Sequence, residues 1–184
     1  MPRLSTTYPS SASGAVSEIY ASIQKTAGMV PNVYATIGTH APTSLKAILE
    51  IDEIIEASTL SKSEIEAIRL AASVNAGCEY SIAAHAFLSQ FSGLSQDTVS
   101  DIRSLRSTKI ERLDALIDFV HVLINTRGVV DLSCVQKLLD FNCTEKNLIE
   151  ICLVVTSTKF INFVNRINDT PIDFPQSAPE NEAL

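Results

Sequence analysis

The chain has 184 residues, a hydrophobic fraction of 46% and a formal net charge of −7, from 21 acidic and 14 basic residues. These values fit one domain of ordinary size with a real hydrophobic core and exclude a disordered chain. The acidic balance argues against a nucleic-acid partner and against docking on an anionic membrane, because both depend on Lys and Arg. No uncharged apolar run is long enough to span a bilayer. The N-terminal segment MPRLSTTYPS lacks an apolar signal core, so we expect a cytoplasmic protein.

Helical spacing of apolar residues recurs along most of the chain, and no convincing strand interrupts it. In chain order, the predicted helices are 14–27, 32–38, 42–57, 61–77, 78–91, 95–105, 108–127, 135–139 and 144–167. Ser61 with Glu64 three residues later predicts a capping box, and Gly77 predicts a left-handed stop before the next helix. The polar segments 1–11 and 176–184 are predicted to be flexible arms. The sequence therefore predicts a single all-α domain over 1–184, a helical bundle with a central antiparallel hairpin.

Four cysteines lie at positions 78, 134, 143 and 152, and none is within four residues of another. This spacing fits neither a disulfide framework nor a zinc knuckle. The six glycines and the absence of tryptophan also argue against an all-β sandwich with its many turns. The cysteines other than Cys78 are interpreted as core residues.

A candidate relay lies on the two helices of the hairpin. Cys78, Ser81 and His85 are spaced i, i+3 and i+7, which places them on one face of a helix. Glu66, on the preceding helix, would be level with His85 within about one turn. A carboxylate beside an imidazole fixes its tautomer and raises its basicity, and the imidazole can then activate a thiol or a hydroxyl.

Each of these residues also has an ordinary structural explanation. A cysteine in a helix is commonly a small buried hydrophobe, a histidine fills a core or a surface, and Glu66 could be a solvated helix residue. Tyr80 would be ordinary core. Residues at i and i+7 are too far apart on a straight helix to share one metal ion, so we expect no metal, and we expect no other cofactor.

The segment 64–85, EIEAIRLAASVNAGCEYSIAAH, resembles the active-site segment of the alkylhydroperoxidase D-like / carboxymuconolactone decarboxylase family. The family pattern is Glu, eleven residues, Cys-x-x-Cys, three residues, His, and Glu66, Cys78, Ser81 and His85 match its spacing. The segments 125–128 and 168–175 are similar to those of the longer, peroxidase-related members. The resemblance covers most of residues 12–175.

Ser81 departs from the family pattern, because it occupies the position of the second cysteine. In the family the two thiols cycle between dithiol and disulfide, and the His/Glu relay deprotonates the attacking thiol. A hydroxyl cannot form that disulfide. A serine at this position fits a one-cysteine enzyme or an inactive relative, and equally a deliberate substitution that blocks the redox pair.

The resemblance implies an AhpD-like helical bundle and a thiol-dependent peroxidase that reduces small hydroperoxides. It implies Cys78 as the redox thiol, His85 as the general base, Glu66 as its orienting partner, Ser81 in the place of the attacking thiol and Tyr80 as a proton relay or gate. An external thiol or disulfide reductant would be a partner. The resemblance and the wide apolar faces of 43–57 and 148–164 predict a homo-oligomer, a trimer or a hexamer.

Two alternatives belong to other functional classes. The first is a non-redox enzyme of the carboxymuconolactone decarboxylase type, a decarboxylase or lactone-ring enzyme that uses His85 and Glu66 as acid and base. The second is a catalytically silent oligomeric binding protein.

Overall fold

The fold is all-helical, as the sequence predicts. In this computed structural model, which describes residues 1–175, there are nine α-helices and no β-strand over that range. The helices are α1 (Ala15–Ala27), α2 (Asn32–His40), α3 (Pro42–Glu56), α4 (Lys62–Ala76), α5 (Glu79–Ser92), α6 (Gln96–Arg103), α7 (Glu111–Asn125), α8 (Leu132–Asp140) and α9 (Glu145–Asn168). A 3-10 turn, Pro9–Ser11, precedes α1. Helix α7 begins later than predicted because Lys109 has a left-handed backbone, with φ 62°.

Helix α4 lies at the centre of the bundle and packs against α5, α7 and α9. Ile65, Ile68 and Leu70 are fully enclosed there, and the alanines at 67, 71 and 72 have no exposed surface. Small side chains let the neighbouring helices approach closely, so the interior reaches the dense packing typical of protein cores. A polar side chain on α4 is therefore held in one position, and Glu66, at 7% exposure, is such a side chain.

The connection between α4 and α5 is short and tightly bonded. The predicted capping box starts α4: Ser61 Oγ accepts from the Glu64 backbone N–H, and the Glu64 carboxylate accepts from the Ser61 N–H. Gly77 ends α4 with φ 57°, a left-handed conformation that glycine adopts at little cost. The Cys78 N–H then donates to Ser73 O at 3.1 Å. The predicted antiparallel hairpin is confirmed.

A second apolar cluster joins α1 and α2 to the start of α5. Tyr20 is buried at its centre and donates its hydroxyl to Ala35 O at 2.7 Å. The ring lies against Gly38, where a Cβ would come within 2.5 Å of the tyrosine hydroxyl, so this glycine is required by close approach. Cys78 and Tyr80 belong to the same cluster.

The N-terminal segment 1–11, predicted to be a flexible arm, lies against the ends of α2 and α9. The Arg3 and Leu4 N–H groups donate to Asn168 O and Oδ1, both at 2.8 Å. The Thr7 N–H donates to Thr39 Oγ1 at 2.7 Å. These bonds attach the segment to the bundle. The other predicted arm, 176–184, lies outside the described residues.

Helix α9 is by length and composition capable of crossing a membrane, with a mean hydropathy of 1.4 in its most apolar window. However, its inner face carries Asn162, Asn165 and Asn168, all at most 3% exposed. The Asn168 amide, for example, donates to Thr36 Oγ1 at 3.2 Å. Buried amides that bond to neighbouring helices are typical of a helix packed inside a protein, so we interpret α9 as a core helix of the bundle.

The outer face of α9 leaves three large apolar side chains in contact with solvent. Ile149, Phe163 and Ile167 are each more than half exposed. An apolar face of this kind is typical of a surface that another protein covers. The homo-oligomer stays a prediction, since the structure is of one chain.

Candidate active site

The hairpin brings Glu66 and His85 into direct contact. Glu66 Oε2 lies 3.0 Å from His85 Nδ1, and both side chains are largely buried. The two residues meet because one lies about three turns before Gly77 and the other about two turns after it. The arrangement places both side chains on facing surfaces of α4 and α5, so the central geometric prediction is confirmed.

The contact determines which nitrogen of His85 is basic. An ionised carboxylate only accepts hydrogen bonds, so Nδ1 carries the proton and donates it to Glu66. The other nitrogen, Nε2, is then the one with a free lone pair. No atom within residues 1–175 forms a hydrogen bond with it.

Glu66 is held in turn by Arg69, one helical turn further along α4. Arg69 Nη1 donates to Glu66 Oε1 and Nη2 donates to Asp52 Oδ1, each at 2.9 Å. Glu56 Oε1 lies 3.7 Å from the same guanidinium. The Tyr34 hydroxyl donates to Asp52 Oδ2 at 3.0 Å. These contacts hold the Arg69 guanidinium in place, and Arg69 in turn holds the Glu66 carboxylate against His85.

Opposing effects act on the ionisation of Glu66. Burial alone would raise the pKa of its carboxyl, but the interactions with His85 and with the Arg69 guanidinium outweigh burial and hold that pKa below its usual range. Burial, followed by the nearby Asp52 carboxylate, raises the pKa of the Tyr34 phenol. Glu66 is therefore ionised, and Tyr34 is protonated, at neutral pH.

Ser81 connects the relay to Cys78 and to α9. Its Oγ accepts a bond from Cys78 Sγ at 3.3 Å and another from Asn165 Nδ2 at 3.2 Å. Because the hydroxyl accepts both bonds, its own hydrogen remains available for donation. Residues 78, 81 and 85 are neighbours along the start of α5, as predicted, but the backbone of Cys78 is not helical.

Cys78 does not continue the helical face that carries Ser81 and His85. The cysteine is the residue before the first turn of α5, in an extended conformation with φ −99° and ψ 93°, so it does not follow the helical rotation assumed from spacing. Its thiol packs into the apolar cluster around Tyr20 and is 2% exposed.

A cavity of about 270 Å³ opens beside the relay. Ser81 and His85 line it, as do Asp52 and Arg69, whereas Cys78 does not. The remaining wall is mainly apolar: its apolar part comes from Ala27, Met29, Pro31, Val33, Ala84, Phe87, Leu88, Ile161 and Phe174, and Tyr34, Tyr80, Ser157 and Thr158 complete it. The volume lies just below the range of about 300–1,000 Å³ that is typical of ligand sites, with room for about nine water-sized groups.

Tyr80 holds the C-terminal segment against this cavity. Its hydroxyl donates to Asp173 Oδ1 at 2.8 Å, and Asp173 Oδ2 accepts from the Asn32 N–H at 2.7 Å. Phe174 meets the Tyr80 ring edge-on, at 5.7 Å between centroids. Burial, followed by the Asp173 charge, raises the pKa of the Tyr80 phenol. This arrangement fits a gate better than a proton relay, because the hydroxyl is bonded away from His85.

Four residues around the relay were not singled out from the sequence: Tyr34, Asp52, Arg69 and Asn165. Arg69 had a signal, since it lies at i+3 from Glu66 on the same helix. Asn165 also had one, because a polar residue on the apolar face of α9 indicates a buried hydrogen bond. Asp52 and Tyr34 had none, because their positions depend on how α2 and α3 pack against α4.

Within residues 1–175, no group of three or more His, Cys, Asp or Glu side chains is placed to hold a metal ion. Cys143 is buried, and Cys134 and Cys152 are partly buried; none forms a disulfide in the described part of the chain.

No protein-family model matches this sequence, and no curated protein matches it. Solved structures do. A peroxidase-related protein of Ralstonia eutropha, described as an alkylhydroperoxidase AhpD core, superposes with a TM-score of 0.83 at 19% identity, over 94% of this chain and 92% of that one.

This chain has the AhpD-like fold.

Two further structures are similar. A cysteine-to-alanine variant of the debrominase Bmp8, in complex with 2,3,4-tribromopyrrole, has a TM-score of 0.77 at 18% identity, over 94% of this chain and 92% of that one. An uncharacterized peroxidase-related protein of Silicibacter has a TM-score of 0.75 at 20% identity, over 84% and 83%. The resemblance found in the sequence is thus confirmed as an AhpD-like fold for nearly the whole chain. At these identities the likeness establishes the fold and leaves the reaction to be argued from the site.

Proposed function

We propose that this AhpD-like chain is an enzyme in which His85 acts as a general base on a small molecule bound in the 270 Å³ cavity. The observation that carries the proposal is the contact between His85 and Glu66 at the wall of the cavity. Its Nδ1 is held by Glu66 at 3.0 Å, and its ring lines the cavity. A basic nitrogen next to a mainly apolar cavity suits proton abstraction, because a dry site strengthens electrostatic effects.

The surrounding groups support the same chemistry. A proton taken from a carbon beside a carbonyl would pass to Nε2, and the resulting imidazolium would be stabilised by Glu66. The negative charge would move to the carbonyl oxygen, where the free Ser81 hydroxyl hydrogen can donate. This is the acid–base function of the non-redox alternative, and it needs no second thiol. A neighbour with this fold, Bmp8, was solved with a small ring compound, which also fits a site of this size.

The proposal is tested with α-angelica lactone, a small neutral lactone whose isomerisation requires removal and return of a carbon-bound proton. The enzyme in D₂O is expected to incorporate deuterium into the ring, followed by proton NMR. His85→Gln is expected to slow exchange by about 100-fold, and His121→Gln, a matched change on α7, is expected to leave it unaltered. Equal rates for the wild type and His85→Gln would refute the proposal.

A hydroperoxide reductase is the second candidate, and the position of Cys78 favours it in one respect. Its Sγ lies 3.3 Å from Ser81 Oγ, which lines the cavity. A hydroperoxide would oxidise the thiol to a sulfenic acid: the S–O bond forms, the O–O bond breaks and the alcohol leaves with a proton. Two external thiols would then restore Cys78: the first forms a mixed disulfide as water leaves, and the second releases the Cys78 thiol as the external disulfide forms. This candidate is ranked second because Cys78 itself does not line the cavity.

The second candidate is tested by treating the wild type with tert-butyl hydroperoxide in the presence of dimedone. Because Cys78 is buried and does not line the cavity, we expect no dimedone adduct on it in the folded protein by mass spectrometry, with the Cys78→Ala variant as the blank. A stoichiometric adduct at Cys78 would reverse the order of the two candidates.

A further inference from the structure

We propose that the cavity beside His85 selects uncharged ring compounds and rejects carboxylates. The inference rests on the proposed function, since it takes this cavity as the substrate site, and it adds the charge class of the substrate. It is carried by the charged groups that line the cavity, by the shape of the wall and by the polar groups left without a partner.

Arg69 is the one Lys or Arg side chain among the described residues of the wall, and it already has three acidic partners. Its guanidinium contacts Glu66 and Asp52 at 2.9 Å and Glu56 at 3.7 Å. Residues 176–184 contain no Lys, Arg or His. A ligand carboxylate would therefore have to compete with carboxylates of the protein for a single cation.

The local charge balance also opposes an anion. Three carboxylates surround one guanidinium, and the Arg69 side chain is only 12% exposed. Two like charges several ångströms apart near a protein surface repel strongly enough to change affinity by about tenfold or more. Tyr34 cannot assist an anion, because its hydroxyl donates to Asp52 at 3.0 Å.

The aromatic part of the wall is suited to a flat apolar ring. Phe174 lies 5.7 Å from the Tyr80 ring and 6.3 Å from the Phe87 ring, measured between centroids, and all three line the cavity. Aromatic side chains bind another ring by its edge or by an offset face. At the polar end, the Ser81 hydroxyl hydrogen and His85 Nε2 remain for one uncharged polar group of the ligand.

Benzamide and benzoate form a matched pair for the test, since they have the same shape and about nine non-hydrogen atoms each, and differ in charge. Their dissociation constants are measured by NMR titration of the full chain at neutral pH and low ionic strength, where charge effects are least screened. We expect benzamide to bind at least about tenfold more tightly than benzoate. Benzoate binding as tightly as benzamide, or no saturation by either up to about 10 mM, would overturn the inference.

Two variants connect the preference to the charges named above. Asp52→Asn removes one carboxylate from the wall and is expected to strengthen benzoate binding by about threefold or more, with benzamide little changed. Glu56→Gln, at a more exposed position, is expected to act in the same direction and serves if Asp52→Asn does not fold. Glu53→Gln, which removes the same charge from the exposed side of α3, should change neither constant. An equal effect of Glu53→Gln would contradict the local origin of the preference.

The two proposals fail separately. If the lactone shows no exchange while benzamide still binds more tightly than benzoate, the proton-abstraction function is wrong and the charge selection stands. If exchange occurs but benzoate binds as tightly as benzamide, the charge selection is wrong and the proton-abstraction function stands.

Discussion

Replacing Ser81 with cysteine is expected to create a dithiol pair and, with it, a hydroperoxide reductase activity. The two side chains already lie in contact, with Cys78 Sγ 3.3 Å from Ser81 Oγ, and a rotation about the side-chain bonds can close that gap to the disulfide length of about 2 Å. The new thiol would line the cavity where Ser81 does now, one turn before His85 on α5. The activity is expected to exceed that of the wild type by at least about 100-fold, because general-base activation of the thiol is restored.

The reaction of this variant proceeds in two balanced steps. The thiolate at position 81 attacks the hydroperoxide, so that an S–O bond forms, the O–O bond breaks and an alcohol leaves. Cys78 then attacks the sulfenic sulfur, the disulfide forms and water leaves. Dithiothreitol serves as the reductant, tert-butyl hydroperoxide consumption is the measured rate, and intact mass reports the loss of two hydrogens.

The matched control is the double variant Ser81→Cys with Cys78→Ala, which keeps the new thiol and removes its partner. It is expected to be oxidised once and to form no intramolecular disulfide. If Ser81→Cys alone forms no disulfide under peroxide, then residues 78 and 81 are not placed for the redox couple that the family resemblance implies. Cys78 would then be a core residue only.

Replacing Arg69 with methionine is expected to destabilise the protein by about 3–5 kcal/mol, because it leaves paired carboxylates without their cation. Methionine keeps much of the apolar volume of the side chain, so the loss reflects charge rather than a cavity. Glu66 and Asp52 would remain, with Glu66 at 7% exposure. The free energy of unfolding is measured by urea denaturation at neutral pH. The control is Lys137→Met, which removes an exposed pair with Asp118 and should cost less than about 1 kcal/mol.

The stability difference between the wild type and Arg69→Met should depend on pH. In the wild type, the folded-state pKa of Glu66 is lowered, so its stabilising contribution is present above the unfolded pKa and is lost as the pH falls through the folded pKa. In Arg69→Met, Glu66 keeps His85 as a partner but loses the guanidinium, so the lowering of its folded-state pKa should be smaller. The stability difference from the wild type should therefore shrink as the pH is lowered below about 5. A difference that stays constant between pH 7 and pH 4 would show that Arg69 acts through packing alone.

Much of the site followed from local sequence signals. The capping box at Ser61 and the left-handed Gly77 define where α4 begins and ends, and helical spacing then places Glu66 level with His85. These features depend on interactions within a few residues of one another, so spacing alone predicts them. The all-α class followed for the same reason, since each helix carries its own apolar periodicity.

Other features of the site depend on which helices pack together. Asp52 reaches Arg69 from α3, and Asn165 reaches Ser81 from α9, 84 residues further along the chain. The sequence left open whether Tyr80 serves the relay or acts as a gate, and the packing of the C-terminal segment directs its hydroxyl to Asp173, away from the relay. No local pattern encodes these contacts, because they depend on the relative position of helices that are distant in sequence.

The sequence by itself determined the helices, the hairpin and the spacing of the acid, the imidazole and the serine, because helix periodicity and end signals are local. Only the tertiary structure decided that Cys78 points into the core while Ser81 lines the cavity. It also decided that three carboxylates from two helices surround Arg69. The burial of Cys78 and the carboxylates around Arg69 both arise from packing between helices. This packing determines which residues of other helices a side chain contacts.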